Sequence, residues 1–484
     1  MTRVLILTTE PLPYRGMPTT GAGLRAWGLA EGLRACGLDV SIAMPAETIE
    51  GRTINDPAFS ADINIFKRPF LMEFINKINP DVLVFQHWGL MEHLQGATCP
   101  LALDLAGPHL LERYYWSDSN ITSSDEPAKV FSTDYEKNLS EKLRALRLAD
   151  FITCSGTFQR HYFLPFLAMT GWHINSGSLP VIPFSINPVP PEGRGALERQ
   201  PDTFVYGGMF LPWQNPEKPL RWLLEVFDEF NRGTLLFFGG MHPTMDVSQG
   251  KFEGLLQHLS KHPRVVMKGM LPFDELCKEY IQASAALDLC EQNPERELAF
   301  TTRTAVYLWC GLPVIYNNYS ELSGYIEKAD AGWCLDPEDE KTFKQTIRDI
   351  LNNNTSLEEK RRNAENLCAN KLDWTKTIKP LADFCLAPFY REGKSGVLLA
   401  AEYRTQKMSQ LEMDLEQTRR ELLTLKGKMI FKFYERASLF RPLLALIIFI
   451  IALPLCLLML LLLIFSDIFR PAKGKSKKVD SQGQ

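Results

Sequence analysis

The sequence has no Cys-x-x-Cys pair and no dense cysteine cluster; its ten cysteines are scattered over 484 residues. That spacing suits neither a zinc site nor a disulfide framework, so reduced thiols in a cytosolic body are expected. An excess of positive charge is also missing. Lys and Arg number 53 against 57 Asp and Glu, a net charge of -4, which argues against nucleic acid as the main partner. There is no Gly-x-Ser-x-Gly, no His-Glu-x-x-His and no P-loop, which sets aside the common hydrolase, metalloprotease and nucleotidase signatures. An Asp-x-Asp that would hold a divalent metal against a nucleotide diphosphate is absent as well, so no metal site is expected. The opening MTRVLILTTEP reads as a short buried strand and lacks the apolar stretch and cleavage site of a signal peptide.

What is present is ordinary globular composition, 45% hydrophobic and 23% charged, in a chain long enough for about three domains. One segment departs from that average. Leu443 to Phe465 carries no charge, and at 1.5 Å per residue it is roughly 35 Å long, enough to cross a hydrocarbon core. A soluble body with a membrane anchor at its far end is the expected plan.

The body divides in two. Arg3–Thr9, Asp39–Met44, Asp81–Gln86, Leu101–Leu105, Asp150–Ser155 and Pro180–Pro183 read as short apolar strands, with an amphipathic helix over Gly23–Gly37. Strands alternating with helices predict a parallel sheet covered on both faces. A Pro- and Gly-rich linker, Asn187–Pro201, comes next, and the pattern restarts: strands at Thr203–Gly207, Thr234–Gly239, Arg264–Lys268, Ala286–Cys290, Pro313–Tyr316 and Ala331–Leu335. The predicted division is residues 1–190 and 191–373 as two Rossmann-like domains, a closing helix over 374–395, a stalk over 400–436, a transmembrane segment over 442–466 and a basic tail over 467–484. In the stalk Met408, Leu411, Leu415, Leu422, Leu425 and Met429 fall on heptad a and d positions with Thr418 the polar d, which fits a coiled coil or an amphipathic stalk at the membrane surface.

Candidate site residues cluster at strand ends. Gly21 and Gly23 open the first helix, where glycines allow close backbone approach and free amides attract phosphate. With Ala26 they match Gly-x-Gly-x-x-Ala, but about a dozen residues separate them from the strand and Glu47 lies past the end of the second strand, so an anion-facing loop fits better than a dinucleotide fingerprint. Tyr206-Gly207-Gly208 ends a strand, and Lys218 begins the next helix, placed to hold a diphosphate. Asp288 and Glu291 end another strand; Arg303 stands near the next helix start, suited to phosphate or carboxylate, while Arg296 reads as part of a solvated charged loop. From the first domain, His87 and the Asp104…His109 stretch each lie just after a strand. Asp104, among apolar neighbours, could orient or deprotonate a hydroxyl.

These blocks together resemble the GT-B glycosyltransferases of the retaining group 1, or family 4, type. ADFITCSGTFQRHY with VIPFSINP is similar to that family's ADxIIxxS strand and domain exit, and ERELAFTTRTAVYLWCGLPVIYNNYSEL is similar to a branch of it carrying an F-x-T-R-x-x-x-YLW-x-GLPVI block; the resemblance covers roughly residues 1–390. It implies two tandem Rossmann-like domains, a nucleotide-sugar donor held mainly by the second and an acceptor against the first, without a cofactor. Gly21 and Gly23 would face donor phosphate and acceptor, with Gly208 beside them. Lys218 would be the phosphate lysine, Glu291 or Glu297 the first acid of the E-x7-E motif, and Arg303 the phosphate-side arginine. Asp104 falls near the family's catalytic-site histidine, with His109 and His87 the nearby alternatives. In three places the pattern differs: the second acid falls on Val306, Met209 stands where an arginine usually precedes the lysine, and Glu291 lies several residues too far from Cys310 for the usual spacing.

The expected activity is therefore metal-independent transfer of a sugar from a nucleotide-diphosphate sugar to a hydroxyl of a membrane-associated acceptor. By analogy with the family that acceptor is a lipid-linked saccharide of a bacterial surface polysaccharide, with the body on the cytoplasmic side of the inner membrane. A catalytically silent GT-B scaffold recruiting partners through its stalk is the alternative, and a sugar-nucleotide epimerase a more remote one. A homodimer through the stalk is a further expectation. Basic residues flank the apolar segment on both sides, so the positive-inside rule does not orient it, and Pro454 leaves room for a re-entrant hairpin.

Overall fold

A computed structural model describes residues 1–49, 63–86, 90, 93–94, 96–118, 133–175, 177–240, 250–352, 357–392, 394 and 400–468. Residues 1–401 form one compact unit and 402–484 a second.

The first unit contains two six-stranded sheets among the described residues. In the first, β1 (Arg3–Leu7), β2 (Asp39–Pro45), β3 (Ile63–Phe66), β4 (Val82–Phe85), β5 (Leu101–Leu105) and β6 (Phe151–Cys154) lie in the order β3-β2-β1-β4-β5-β6. In the second, β7 (Thr203–Met209), β8 (Thr234–Gly240), β9 (Val265–Gly269), β10 (Ala285–Asp288), β11 (Val314–Asn317) and β12 (Gly332–Leu335) lie in the order β12-β11-β10-β7-β8-β9. All pairings are parallel. Apolar runs such as VLVF in β4 are buried throughout, as expected where helices cover both faces. Each sheet reverses its order once, at β1/β4 and at β7/β10, and ligands bind outside the carboxyl ends of strands at such reversals.

The sequence-based expectations differ from the structure in four places, one being the closing helix expected over 374–395, which is two short helices, Trp374–Thr377 and Lys379–Leu386. Strand β3 had no counterpart among the predicted strands. The expected Pro180–Pro183 strand is reduced to a bridge between Cys154 and Val181, made by Ile182 N–H to the Cys154 carbonyl (2.8 Å) and Cys154 N–H to the Pro180 carbonyl (3.2 Å). Prolines at both ends of that segment lack the N–H needed to extend the ladder. The helix expected over Gly23–Gly37 spans Gly21–Ala35 and is not amphipathic: it buries Leu24, Arg25, Ala26, Leu29 and Leu33 on several faces.

That wide burial has an identifiable cause. After the second sheet the chain returns to the first, where Ile186 N–H meets the Leu372 carbonyl at 2.6 Å and the helices Trp374–Thr377 and Lys379–Leu386 come next. Their residues pack against glycines of the Gly21–Ala35 helix. A Cβ at Gly32 would lie 2.9 Å from both Ile378 Cβ and the Trp374 carbonyl oxygen. Gly32→Ala is therefore expected to destabilise the unit by about 1–3 kcal/mol, read as a lower denaturation midpoint. On the same side Phe384 stacks on Phe151 at 4.6 Å, and Arg391 lies over Trp172 at 4.2 Å while its N–H bonds Asp150.

The second unit holds most of the 40-residue helix Ala400–Leu439 and all of the 28-residue helix Arg441–Ile468. Among the described residues one helix is long and apolar enough to cross a membrane: Arg441–Ile464, with a mean hydropathy of 3.3. It runs unbroken through Pro454, which leaves no hairpin within the described span.

Candidate active site

Both order reversals open onto one cavity of about 650 Å³, inside the size range of small-molecule and cofactor sites. Its walls come from the carboxyl ends of strands in both sheets: Thr9–Pro11, Pro18–Ala22, Leu24 and Arg25 after β1, Gln86 after β4, Ala106–His109 and Glu112 after β5, Gly207–Met209, Leu211 and Gln214 at β7, Phe238 and Gly239 on β8, and Glu295, Arg296, Ala299–Arg303 and Val306 after β10.

On the first-domain side, Thr20 caps the Gly21–Ala35 helix by accepting the Gly23 N–H at 3.1 Å. The two glycines do different things. A Cβ at Gly21 would sit 2.5 Å from Thr302 Oγ1, so the missing side chain lets the second domain approach this helix end. A Cβ at Gly23 would meet the Pro11 carbonyl oxygen at 2.0 Å; Gly23 lets the β1 loop fold back and does not line the cavity.

Below this loop lies a buried ion pair that sequence spacing did not reveal. Arg25 and Asp104 side chains are 3% and 1% exposed. Nε and Nη2 of Arg25 donate to the two carboxylate oxygens at 3.0 and 2.8 Å, and Nη1 donates to the Pro183 carbonyl at 2.8 Å. Thr153 Oγ1 (2.7 Å) and Gln86 Nε2 (3.4 Å) also donate to Asp104. Burial alone would push the Asp104 carboxyl up, but the Arg25 charge and these hydrogen bonds hold it below the usual carboxylate range. Asp104 is thus ionised and turned to Arg25. It does not line the cavity, whereas Arg25 does.

His109 does line it, at the start of the His109–Asp118 helix, with Nδ1 2.5 Å from Glu112 Oε2. Burial pushes the Glu112 carboxyl up, yet His109, Arg296 and Lys142 hold it below its ordinary value. His87 lies outside the described residues.

The second domain supplies two arginines. Asn293 caps a one-turn helix by accepting the N–H groups of Glu295 and Arg296 at 3.1 Å each. Contrary to the solvated loop expected from sequence, Arg296 is 5% exposed and makes a forked pair with Glu295 at 2.6 and 2.9 Å. Burial raises the Glu295 carboxyl despite that pairing. Arg303 is held more elaborately. Its Nε lies 3.3 Å from Asp288, and Nη1 donates to the Gly207 carbonyl at 2.9 Å and to Tyr206 Oη at 3.3 Å; Nη2 bonds Gln214. Gly208, at φ +126°, makes room for it, since a Cβ there would lie 2.7 Å from Arg303 Nη1. Thr301 precedes the Thr302–Trp309 helix without capping it, because its hydroxyl pairs with Tyr316 Oη at 2.8 Å. Thr301 and Thr302 line the cavity, so the first amides of that helix open toward it without a side-chain cap.

The remaining sequence candidates lie apart from the cavity lining. Lys218 is exposed and pairs with Glu338 at 2.5 Å. Glu291 accepts from Asn215 Nδ2 at 3.0 Å and Glu297 from Gln292 Nε2 at 2.7 Å. Val306 and Met209 do line it. Among the described residues no group of three His, Cys, Asp or Glu is placed to hold a metal ion.

Two parallel Rossmann-like sheets with a shared cleft and a C-terminal return to the first domain define the GT-B fold, and solved structures with this architecture match the chain. No family model and no curated protein matches it by sequence. Among solved structures, a sucrose-phosphate synthase from Thermosynechococcus elongatus aligns with a TM-score of 0.58 at 15% identity, over 79% of this chain and 98% of that one. The pneumococcal O-GlcNAc transferase GtfA, in complex with UDP and GlcNAc, aligns at 0.53 and 11% identity, over 80% and 99%. Anabaena Alr3699/HepE, in complex with UDP, aligns at 0.52 and 13% identity, over 79% and 99%. At these identities the likeness is one of fold.

Proposed function

We propose that the chain transfers a sugar from a nucleotide-diphosphate sugar to a hydroxyl of a membrane-associated acceptor. The observation that carries this is the interdomain cavity where two helix N-termini and the Arg296 and Arg303 guanidiniums converge. Such donors stabilise the charge that develops as the sugar–phosphate bond breaks, and solved structures of the same fold, an O-GlcNAc transferase among them, are in complex with UDP. In this reading His109, which lines the cavity and is hydrogen-bonded to Glu112, takes the acceptor proton. Lys218 is a reserve cation: an exposed pair like that with Glu338 contributes little in high-dielectric surroundings, so a diphosphate could draw the lysine away at small cost. The finer assignment is a retaining, metal-independent enzyme of the group 1 type acting on a lipid-linked saccharide of a surface polysaccharide. The apolar Arg441–Ile464 helix would keep it beside that acceptor at the cytoplasmic face of a bacterial inner membrane.

The test is thermal stabilisation of the detergent-solubilised full chain by UDP-, GDP-, TDP- and CMP-sugars. One donor class at a hundred times its Kd is expected to add about 2.7 kcal/mol. Lys218→Ala should weaken that donor, whereas Glu338→Gln, which releases the lysine, should not. Turnover is expected to survive EDTA. No stabilisation by any donor would overturn the proposal in favour of a silent scaffold, which the apolar Val306 in the cavity wall would suit.

A further inference from the structure

Among the described residues the Ala400–Leu439 helix has an exposed apolar seam. Met408, Leu411, Leu415, Leu422, Leu425 and Met429 are each 51–73% exposed, and their alternating three- and four-residue spacing places them at a and d of one heptad frame. The charges beside the seam say what covers it. In this frame the g positions are Lys407, Asp414, Glu421 and Lys428, and the e positions five residues after the first three are Glu412, Arg419 and Lys426. In a parallel, in-register pair each g residue faces the e residue five positions on in the other strand. All three contacts then join opposite charges: Lys407 with Glu412, Asp414 with Arg419, and Glu421 with Lys426. The antiparallel arrangement of the same seam sets g against g, which opposes Lys407 to Lys428 and Asp414 to Glu421 as like charges; there Glu412 with Arg419 is the favourable contact.

We propose that this helix is the interface with a second copy of the same chain, as a parallel, in-register coiled coil over about residues 407–429. Thr418 meets its counterpart at the one polar rung. Parallel pairing also suits the chain beyond the seam. Each strand leads into the apolar Arg441–Ile468 helix, so it delivers both copies to the same membrane face. Sharing a bilayer raises the effective concentration of the partner, which a seam of barely three heptads requires. The inference is independent of any glycosyl transfer.

The experiment uses the full chain in detergent or nanodiscs with the exposed Cys36 and Cys456 changed to serine. Leu411→Cys and Leu425→Cys should each form a disulfide with the same position of a second copy, while Met413→Cys, on the outer face, should not. A monomeric helix lying on the membrane would link at neither seam position, and an antiparallel pair would separate each cysteine from its counterpart; either result overturns the proposal. Charge reversal gives an independent reading by light scattering. Glu421→Lys alone and Lys426→Glu alone should each shift the protein from twice the 55.1 kDa chain mass toward one, and mixing the two variants should restore the double mass. Failure of the mixture to recover it, with both variants folded, would also overturn it.

Discussion

Arg303→Ala is expected to lower kcat/KM by about 10²–10³-fold, the usual loss when one preorganised donor to developing charge is removed. The same change should also destabilise the fold. Asp288 is 2% exposed and would lose the cation beside it, and breaking a buried pair from one side costs about 3–5 kcal/mol. A lost enzyme and a loosened enzyme must therefore be told apart. Three of the five guanidinium N–H groups are donated to Gly207, Tyr206 and Gln214 and Nε lies in ion-pair contact with Asp288, which leaves a second N–H on Nη2 for a phosphate oxygen. Arg303→Lys keeps the charge beside Asp288 but cannot reproduce the fork. Its melting temperature should stay nearer wild type while donor affinity falls at least tenfold. Were Arg303→Lys to bind the donor as tightly as wild type, Arg303 would be a strut for the β7 turn and the diphosphate would rest on Arg296 and the helix amides. Titration of the donor into both variants, with calorimetric melting of each, separates these outcomes.

The contrast between Arg303 and Lys218 shows what the chain made legible. Strands such as Val82–Phe85 declare themselves through uninterrupted apolar residues and turn boundaries; β3, four residues long with Asn64 among them, does not. Arg303 was identifiable because a helix start after a strand end fixes its place locally. Arg25 was not. It lies within the glycine-loop stretch, but its partner Asp104 is 79 positions away, and no period in the sequence joins residues across two strands. The same limit applies to Arg296. Three acids around one arginine look like a solvated loop, and burial is decided by Asn293 capping the turn and by the first domain closing over it. Pro180 and Pro183 carried a readable warning against a strand, since neither can donate to a ladder. In the Gly21–Ala35 helix the misleading signal was hydrophobic periodicity, because Gly28 and Gly32 count as neutral in the pattern yet accept Trp374 and Ile378 against the backbone.

Asp104→Asn is expected to remove stability more than chemistry. With the carboxylate neutralised, the Arg25 guanidinium stays 3% exposed without a counter-charge, a loss of about 3–5 kcal/mol. The pH dependence comes from the direction of the shift. The folded carboxyl is held below its ordinary value, so its contribution is complete above the unfolded pKa of about 3.9 and disappears as pH falls through the lower folded value. The gap between wild type and Asp104→Asn should therefore be flat from about pH 5 to 8 and close only under stronger acid. Pairing the change with Arg25→Gln should recover much of the lost stability, because two neutral partners no longer bury an unmatched charge. A base removed from the cavity would behave differently: kcat would collapse across the whole pH range while the melting temperature barely moved. Urea denaturation of both variants at pH 4, 5.5 and 7, alongside turnover at the same values, decides whether Asp104 positions Arg25 or meets the acceptor.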